Sequence, residues 1–373
     1  MDAAADRLGR PARIAVLRAL QLGDLLCCVP ALRALRAAAP QATITLIGLP
    51  WAREFVARFG AYLDDFIEFP GWPGLPERAL DVAAVPAFLA DAQARRFDLA
   101  VQLHGSGGIV NELTALLGAR ASAGFHVPGQ WCPDPERFIA WPEGTPEIHR
   151  YLRLTAHLGA PSDDARLEFP LTERDAADLA ASLAARAPHE TGLGIVPGRY
   201  VVVHPGSQLP SRRWPPQRFA QVADALAQAG LTVVLTGTAA ERPLADAVAA
   251  ALRAPCVNLA GRTTLGAVAV LIRQARLLVC NDTGVSHVAA ALATPSVVVC
   301  SGADAARWAP LDAARHRVLA HPVPCRPCGH AVCPIMGHPC AEGTTADAVL
   351  REAHALLAAT EFADRPMPDR CAA

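Results

Sequence analysis

Short apolar runs rich in β-branched residues alternate with longer Ala/Leu-rich segments of helical spacing along most of the chain. Repeated strand, crossover helix and strand in this order build parallel sheets covered on both faces. In the first half the predicted strands are RIAVLRA (13–19), ATITLIGLP (42–50), DDFIEFP (64–70) and FDLAVQLHG (97–105). Helical segments fall at 25–40, at 52–60 and over 75–96, the last broken by Pro86. The second half repeats the scheme, with strands RYVVVHPGS (199–207), LTVVLTGT (231–238), CVNLAG (256–261), RLLVCND (276–282) and PSVVVCSG (295–302) alternating with helices. A helix and a Gly/Pro-rich stretch at 165–199 separate the halves. The expected fold is therefore α/β, with two Rossmann-like doubly wound domains facing across a cleft. They are placed at 1–175 and at 176–373, the second ending in a Cys-rich loop (325–340) and a C-terminal helix.

The chain has 373 residues, 52% of them hydrophobic, which suits two cores better than one. Its formal net charge of -1 gives no global footprint of a nucleic-acid binder, so no nucleic-acid partner is expected. No run of about 18 apolar residues occurs. The N-terminal stretch lacks the basic start and apolar run of a signal peptide, and a cytoplasmic location is expected. Of eleven cysteines, Cys27, Cys28, Cys256, Cys280 and Cys300 lie in apolar runs and read as small buried hydrophobes.

Doubly wound sheets bind ligands at the carboxyl ends of their strands, and the polar motifs cluster there. Gly23 and Asp24 follow the first strand, and His104 follows another. Asp24 is either a general base or the N-cap of the helix starting near Leu25. His104 either positions an acceptor or closes a strand end, and Gly23 is the other candidate on the acceptor. HPGSQLPSRRWP (204–215) offers backbone N–H groups and the Ser207 hydroxyl, with Arg212 and Arg213 as planar donors for phosphate oxygens. NDTGVSH (281–287) places Asp282, Thr283 and Gly284 at a helix start suited to an anion, with His287 on the first turn. Asp282 is either that helix's N-cap or an acceptor for ligand hydroxyls. G-x-G-x-x-G after a strand, G-x-x-x-x-G-K-[ST] and D-x-D are all absent. Arginines and helix N-termini would then have to neutralise a diphosphate. CRPCGHAVCPIMGHPC (325–340) groups Cys325, Cys328, Cys333 and Cys340, a spacing that points to thiolate ligation of zinc or a single iron. A disulfide pair or free thiols is the other reading.

From about Ile14 to Leu357 the sequence resembles glycosyltransferase family nine, the bacterial ADP-heptose heptosyltransferases of lipopolysaccharide synthesis. The resemblance rests on Gly-Asp followed by PALRAL, on HPGS…RRWP and on NDTGVSHVAAAL. It implies a two-domain GT-B fold, an N-terminal acceptor domain, a C-terminal nucleotide-sugar domain and inversion at the anomeric carbon. Residue by residue, it implies Asp24 as the catalytic base, Ser207 and Arg212 on the diphosphate, Glu241 on the ribose, and Asp282, Thr283, Gly284 and His287 around the donor. Arg212 stands where the family usually has Lys, which keeps the charge and changes its geometry. The expected function is inverting transfer of a heptose or related sugar from an ADP-sugar to a hydroxyl of a glycan, lipid-linked or protein acceptor. No cofactor is expected for catalysis. Peripheral association with the inner face of the inner membrane is compatible with that function.

A similar Cys-rich loop occurs in part of the family, including protein-modifying heptosyltransferases that hold iron there, so a structural or oligomer-forming zinc or iron loop is expected. The oligomeric state stays open. A non-catalytic nucleotide-sugar binding or assembly protein of the same fold is the alternative function. Acceptor recognition is expected in the Pro/Trp-rich loops at 69–86 and 125–138.

Overall fold

The structure, a computed structural model, describes residues 7–186, 190 and 192–360. Residues 1–6, where the leader question arises, and 187–189 and 191 in the inter-domain stretch lie outside them. The chain forms two compact units, Met1–Leu167 and Glu168–Ala373.

In the first unit the strands are β1 (Arg13–Leu17), β2 (Thr43–Gly48), β3 (Asp65–Glu68), β4 (Leu99–Gln102), β5 (Ala121–His126) and β6 (Phe138–Ala140). They form one parallel sheet in the order β3-β2-β1-β4-β5-β6. The helices are α1 (Leu22–Ala38), α2 (Ala52–Arg58), α3 (Val85–Ala94), α4 (Ile109–Leu116) and α5 (Glu147–Leu158). Strand β1 is buried from Ile14 through Leu17, because helices cover both faces of a parallel sheet and leave no polar side to alternate with.

Helix α1 begins earlier than expected. Gln21 is its N-cap and Asp24 its third residue, and the two form a capping box that draws Gly23 into the first turn. Asp24 is thus not the N-cap. The segment 75–96 is helical only over Val85–Ala94, and Pro86 does not break the helix but lies in its first turn, where its missing N–H leaves nothing unpaired. Strands β5 and β6 and helices α4 and α5 lie beyond the elements that the sequence predicts.

The second unit opens with α6 (Glu173–Ala184), capped by Thr172 and Asp175. The units divide ahead of the expected boundary at 175/176, because α6 packs on α9 (Leu265–Gln274) of the second unit. Strands β7 (Tyr200–His204), β8 (Thr232–Leu235), β9 (Cys256–Asn258), β10 (Leu277–Asn281), β11 (Ser296–Val299) and the unexpected β12 (His316–Leu319) pair in the order β12-β11-β10-β7-β8-β9, all parallel. The other helices of eight or more described residues are α7 (Pro216–Gln228), α8 (Arg242–Ala251), α10 (Gly284–Ala291) and the C-terminal α11 (Ala346–Ala359), which packs on α7 and β11.

Counted from the first strand of each unit, both sheets have the order 3-2-1-4-5-6. The chain runs outward from a central strand and returns on its other side, so the crevice for a ligand opens between β1 and β4 in one unit and between β7 and β10 in the other. Each unit has its own apolar core, one around Leu17, Phe69 and Leu113, the other around Val203, Trp214 and Phe219.

Candidate active site

The first crevice holds Asp24 on a charged cluster. The Asp24 side chain is partly exposed, and its Oδ2 accepts from the Gln21 N–H at 3.2 Å. Its Oδ1 lies 3.5 Å from Nη2 of Arg18, whose side chain is 1% exposed. The Arg18 Nε donates to the Asp24 carbonyl at 2.9 Å, and Nη1 donates to the Leu103 carbonyl at the end of β4. Nη2 is also 3.6 Å from Glu147 Oε1, and the guanidinium lies over the Tyr151 ring at 4.6 Å. Glu147 is buried and accepts from Arg150 and from the Tyr151 hydroxyl. Arg150 in turn stacks on Trp141 at 3.9 Å and donates to the Pro142 carbonyl. Burial works against the Arg18 charge, but the ionised carboxylates of Asp24 and Glu147 beside it hold the group protonated. Losing Glu147, the fully buried carboxylate of the cluster, leaves buried arginine charge uncompensated, a cost of about 3–5 kcal/mol.

His104 is buried beside this cluster. Its Nδ1 accepts from the Ala19 N–H at 3.1 Å, and its Nε2 is 3.3 Å from Glu77 Oε1 in the 69–86 loop. Burial opposes the Glu77 charge, but His104 outweighs it and keeps that carboxyl below the usual range.

In the second unit Ser207, Glu241 and Asp282 follow three adjacent strands, β7, β8 and β10. Ser207 is buried, and its carbonyl accepts from Arg213 Nε at 2.9 Å. Asn281 closes this end of the sheet: its amide donates to the Pro205 carbonyl at 2.8 Å and its oxygen accepts from the Trp214 N–H at 2.9 Å. The Glu241 carboxylate accepts from the Thr238 N–H and hydroxyl, both at 2.9 Å, and lies 3.8 Å from His204 Nε2. Burial lowers the His204 pKa, with Glu241 opposing. Thr283, in extended backbone, is the N-cap of α10, so Asp282 is not, and the Asp282 carboxylate stays outside the helix. Gly284 opens that helix, and His287 is buried on it, 6.4 Å from the Trp308 ring.

The Cys-rich loop is built onto the loop that carries Arg212. Arg212 Nη2 donates to the Cys328 carbonyl at 3.1 Å, and the buried Arg212 Nε has no hydrogen-bond partner. Ser211 receives the closest anchoring. Its N–H donates to the Ala331 carbonyl at 3.0 Å, its hydroxyl donates to the His330 carbonyl at 2.6 Å, and its own carbonyl is 3.0 Å from His338 Nε2. The Cys328 N–H donates to the Gly302 carbonyl, and Arg326 donates to the carbonyls of Cys300 and Ser301. The sequence leads one to expect a structural or oligomer-forming loop, and the structure ties it to Ser211 and Arg212.

Cys325, Cys328, Cys333, Cys340, His330 and His338 line one cavity of about 150 Å³. That donor set suits a thiophilic ion. Among the described residues, however, no group of three or more His, Cys, Asp or Glu is arranged to hold a metal, and the Cys333 thiol is turned to the Ile335 carbonyl.

Arg18, Glu77, Glu147, Arg150 and Tyr151 are absent from the sequence-based site. Arg18 had one signal, a charged residue amid the apolar positions of a strand end; the others belong to elements that only the fold brings to β1.

Comparison with known proteins bears on these sites. The family model described as glycosyltransferase family 9 (heptosyltransferase) matches residues 93–338. Lipooligosaccharide heptosyltransferase 2 of Haemophilus ducreyi is 32% identical over 159 residues, 41% of this chain and 45% of that protein, so the chain spans under half the length of this curated relative. Two solved structures share the fold. A family 9 glycosyl transferase from Veillonella parvula has a TM-score of 0.74 at 20% identity, covering 96% of this chain and 100% of its own. The E. coli ADP-heptose lps heptosyltransferase II has a TM-score of 0.69 at 22% identity, covering 93% and 99%.

Proposed function

This chain belongs to glycosyltransferase family 9, the heptosyltransferase family, and from that premise we propose that it transfers a heptose, with inversion, from an ADP-linked donor to a hydroxyl of a lipopolysaccharide-type acceptor. The observation that carries this reading is a partly exposed carboxylate, Asp24, at the crevice between β1 and β4 and 3.5 Å from a buried arginine.

Inversion needs a base on the face opposite the leaving group. Asp24 takes the acceptor hydroxyl's proton as that oxygen bonds to the anomeric carbon. The bond from that carbon to the diphosphate oxygen breaks, and its electron pair leaves with ADP. Arg212 binds the departing diphosphate by charge-assisted hydrogen bonds, helped by Ser207 and the first N–H groups of α10. Glu241 accepts from the ribose hydroxyls. Asp282 and His287 complete the donor pocket, while His104 and Glu77 orient the acceptor.

The reaction is assigned to the cytoplasmic side of the membrane; among the described residues no helix is long and apolar enough to cross one. The cysteines of the 325–340 loop are assigned a structural thiophilic metal that carries no step of the transfer. Their shared cavity supports this assignment, for which the thiols, not arranged as ligands here, must turn toward one point.

Asp24→Asn keeps the size and a capping oxygen but removes the base. ADP release from ADP-heptose with a truncated lipopolysaccharide acceptor is expected to slow by about 10²-fold or more, with donor affinity and Tm unchanged. A variant that keeps its rate and loses stability would mean that Asp24 only closes the capping box.

A further inference from the structure

A base in this position has two conflicting needs. It must be ionised before the reaction, which a nearby cation favours, and basic enough to accept a proton, which the same cation opposes. Arg18 is built to meet both. Its Nε holds the Asp24 carbonyl and its Nη1 holds the Leu103 carbonyl, so the guanidinium is fixed to the first turn of α1 and to the end of β4. Its Nη2 is buried, makes no hydrogen bond and lies between two carboxylates, 3.5 Å from Asp24 and 3.6 Å from Glu147.

We infer that Arg18 is a positioning residue for Asp24, and that Glu147 is the counter-charge that keeps Arg18 from suppressing the basicity of Asp24. The inference rests on Asp24 being the base. While Asp24 is ionised, Arg18 is shared between two carboxylates. Once Asp24 has taken the proton, Arg18 still has the Glu147 carboxylate 3.6 Å away, shared with Arg150, so the rise in positive charge beside the base is smaller than it would be without Glu147.

The other groups facing the cluster do not supply this balance. Burial pushes the Cys28 thiol on α1 up to about 12, and Cys27 beside it and Tyr151 on α5 are also raised well above their ordinary values, so all three stay neutral. Arg150 on α5 is committed to Glu147, Trp141 and Pro142. At the end of β4, His104 is tied to the Ala19 N–H and paired with Glu77.

The test is the acid limb of kcat/KM against pH, read by ADP release from ADP-heptose with the truncated acceptor. Arg18→Met removes the cation and is expected to move that limb up by about one pH unit or more. Glu147→Gln leaves Arg18 to Asp24 alone and is expected to move it down. A midpoint on the pH axis does not depend on how much of each variant is folded, and a merely structural role gives no opposed shifts. Should Arg18→Met yield no folded protein, Arg18→Lys takes its place: it keeps the charge but not the two carbonyl anchors, so kcat is expected to fall about tenfold with the limb near its original pH. Limbs that stay put, or move the same way in Arg18→Met and Glu147→Gln, overturn the inference, as does an Arg18→Lys enzyme with unchanged kcat. Retained turnover in Asp24→Asn removes the underlying reading, and the inference with it; loss of turnover there with unmoved limbs removes the inference alone.

Discussion

Glu241 rests directly against Gly206: a Cβ added to Gly206 would lie 2.3 Å from Glu241 Oε1 and 2.7 Å from Oε2. Only a residue without a side chain lets the carboxylate come this close to the backbone that leaves β7, while Thr238 fixes it from the other side. Gly206→Ala is therefore expected to turn Glu241 away and to weaken ADP binding about tenfold, the loss of roughly one good hydrogen-bonding contact. Calorimetric titration with ADP is the measurement. Wild-type affinity in this variant would take Glu241 out of the donor site.

Arg212 offers a buried Nε without a partner and is steadied through Nη2 by the Cys328 carbonyl. Arg212→Ala is expected to weaken ADP-heptose binding by about 10- to 100-fold, the range for losing a hydrogen bond to a charged group. Ser211→Ala removes the hydroxyl anchor to His330 and leaves the guanidinium in place, so a smaller loss in the same direction is expected. Equal affinity in Ser211→Ala and wild type would show that the Cys-rich loop does not steady the donor loop.

The cysteine cluster separates metal from thiol chemistry in one preparation. Protein purified under reducing conditions is expected to carry about one zinc or iron per chain by elemental analysis, since four thiolates fill a tetrahedral site. Cys328→Ser should lower metal content and Tm together, because binding that orders a loop contributes to folding free energy. Because this loop supports Ser211 and Arg212, donor affinity should fall as well. Metal-free protein of unchanged stability would end this assignment.

The two sheets are legible in the sequence because buried parallel strands show as continuous apolar runs, and nine of the strands follow that rule. β5 does not: ASAGFH has little apolar character, and its Gly124 leaves room for the Gln102 side chain. β6, with three residues, and β12, half-buried and carrying Arg317, are too short or too polar to stand out. The positions of Asp24, Ser207 and Asp282 are legible because each falls in the loop or first helical turn that follows a strand. Glu147 and Tyr151 are not, since no local pattern links α5 to Asp24; only the packing of α5 on α1 brings them together. The start of α1 is not legible because a glutamine N-cap is a weak signal, whereas an aspartate two residues after a helix start resembles a cap itself.

His316 gives the second unit an acid-sensitive fold. It is buried on β12 against the Ser296 hydroxyl, 2.9 Å from Nδ1, and burial lowers its pKa to about 4, Asp312 opposing and Arg315 and His287 assisting. The unfolded chain, with a histidine pKa near 6.5, binds the proton first as pH falls. Stability therefore rises with pH between about 4 and 6.5, and acidification from pH 7 to 5 is expected to cost about 2 kcal/mol through this residue. His204, lowered by burial on β7, acts in the same sense. Urea unfolding at the two pH values is expected to show a smaller loss in His316→Gln than in wild type, whatever the variant's stability at pH 7. Equal losses in the two proteins would place the acid sensitivity elsewhere.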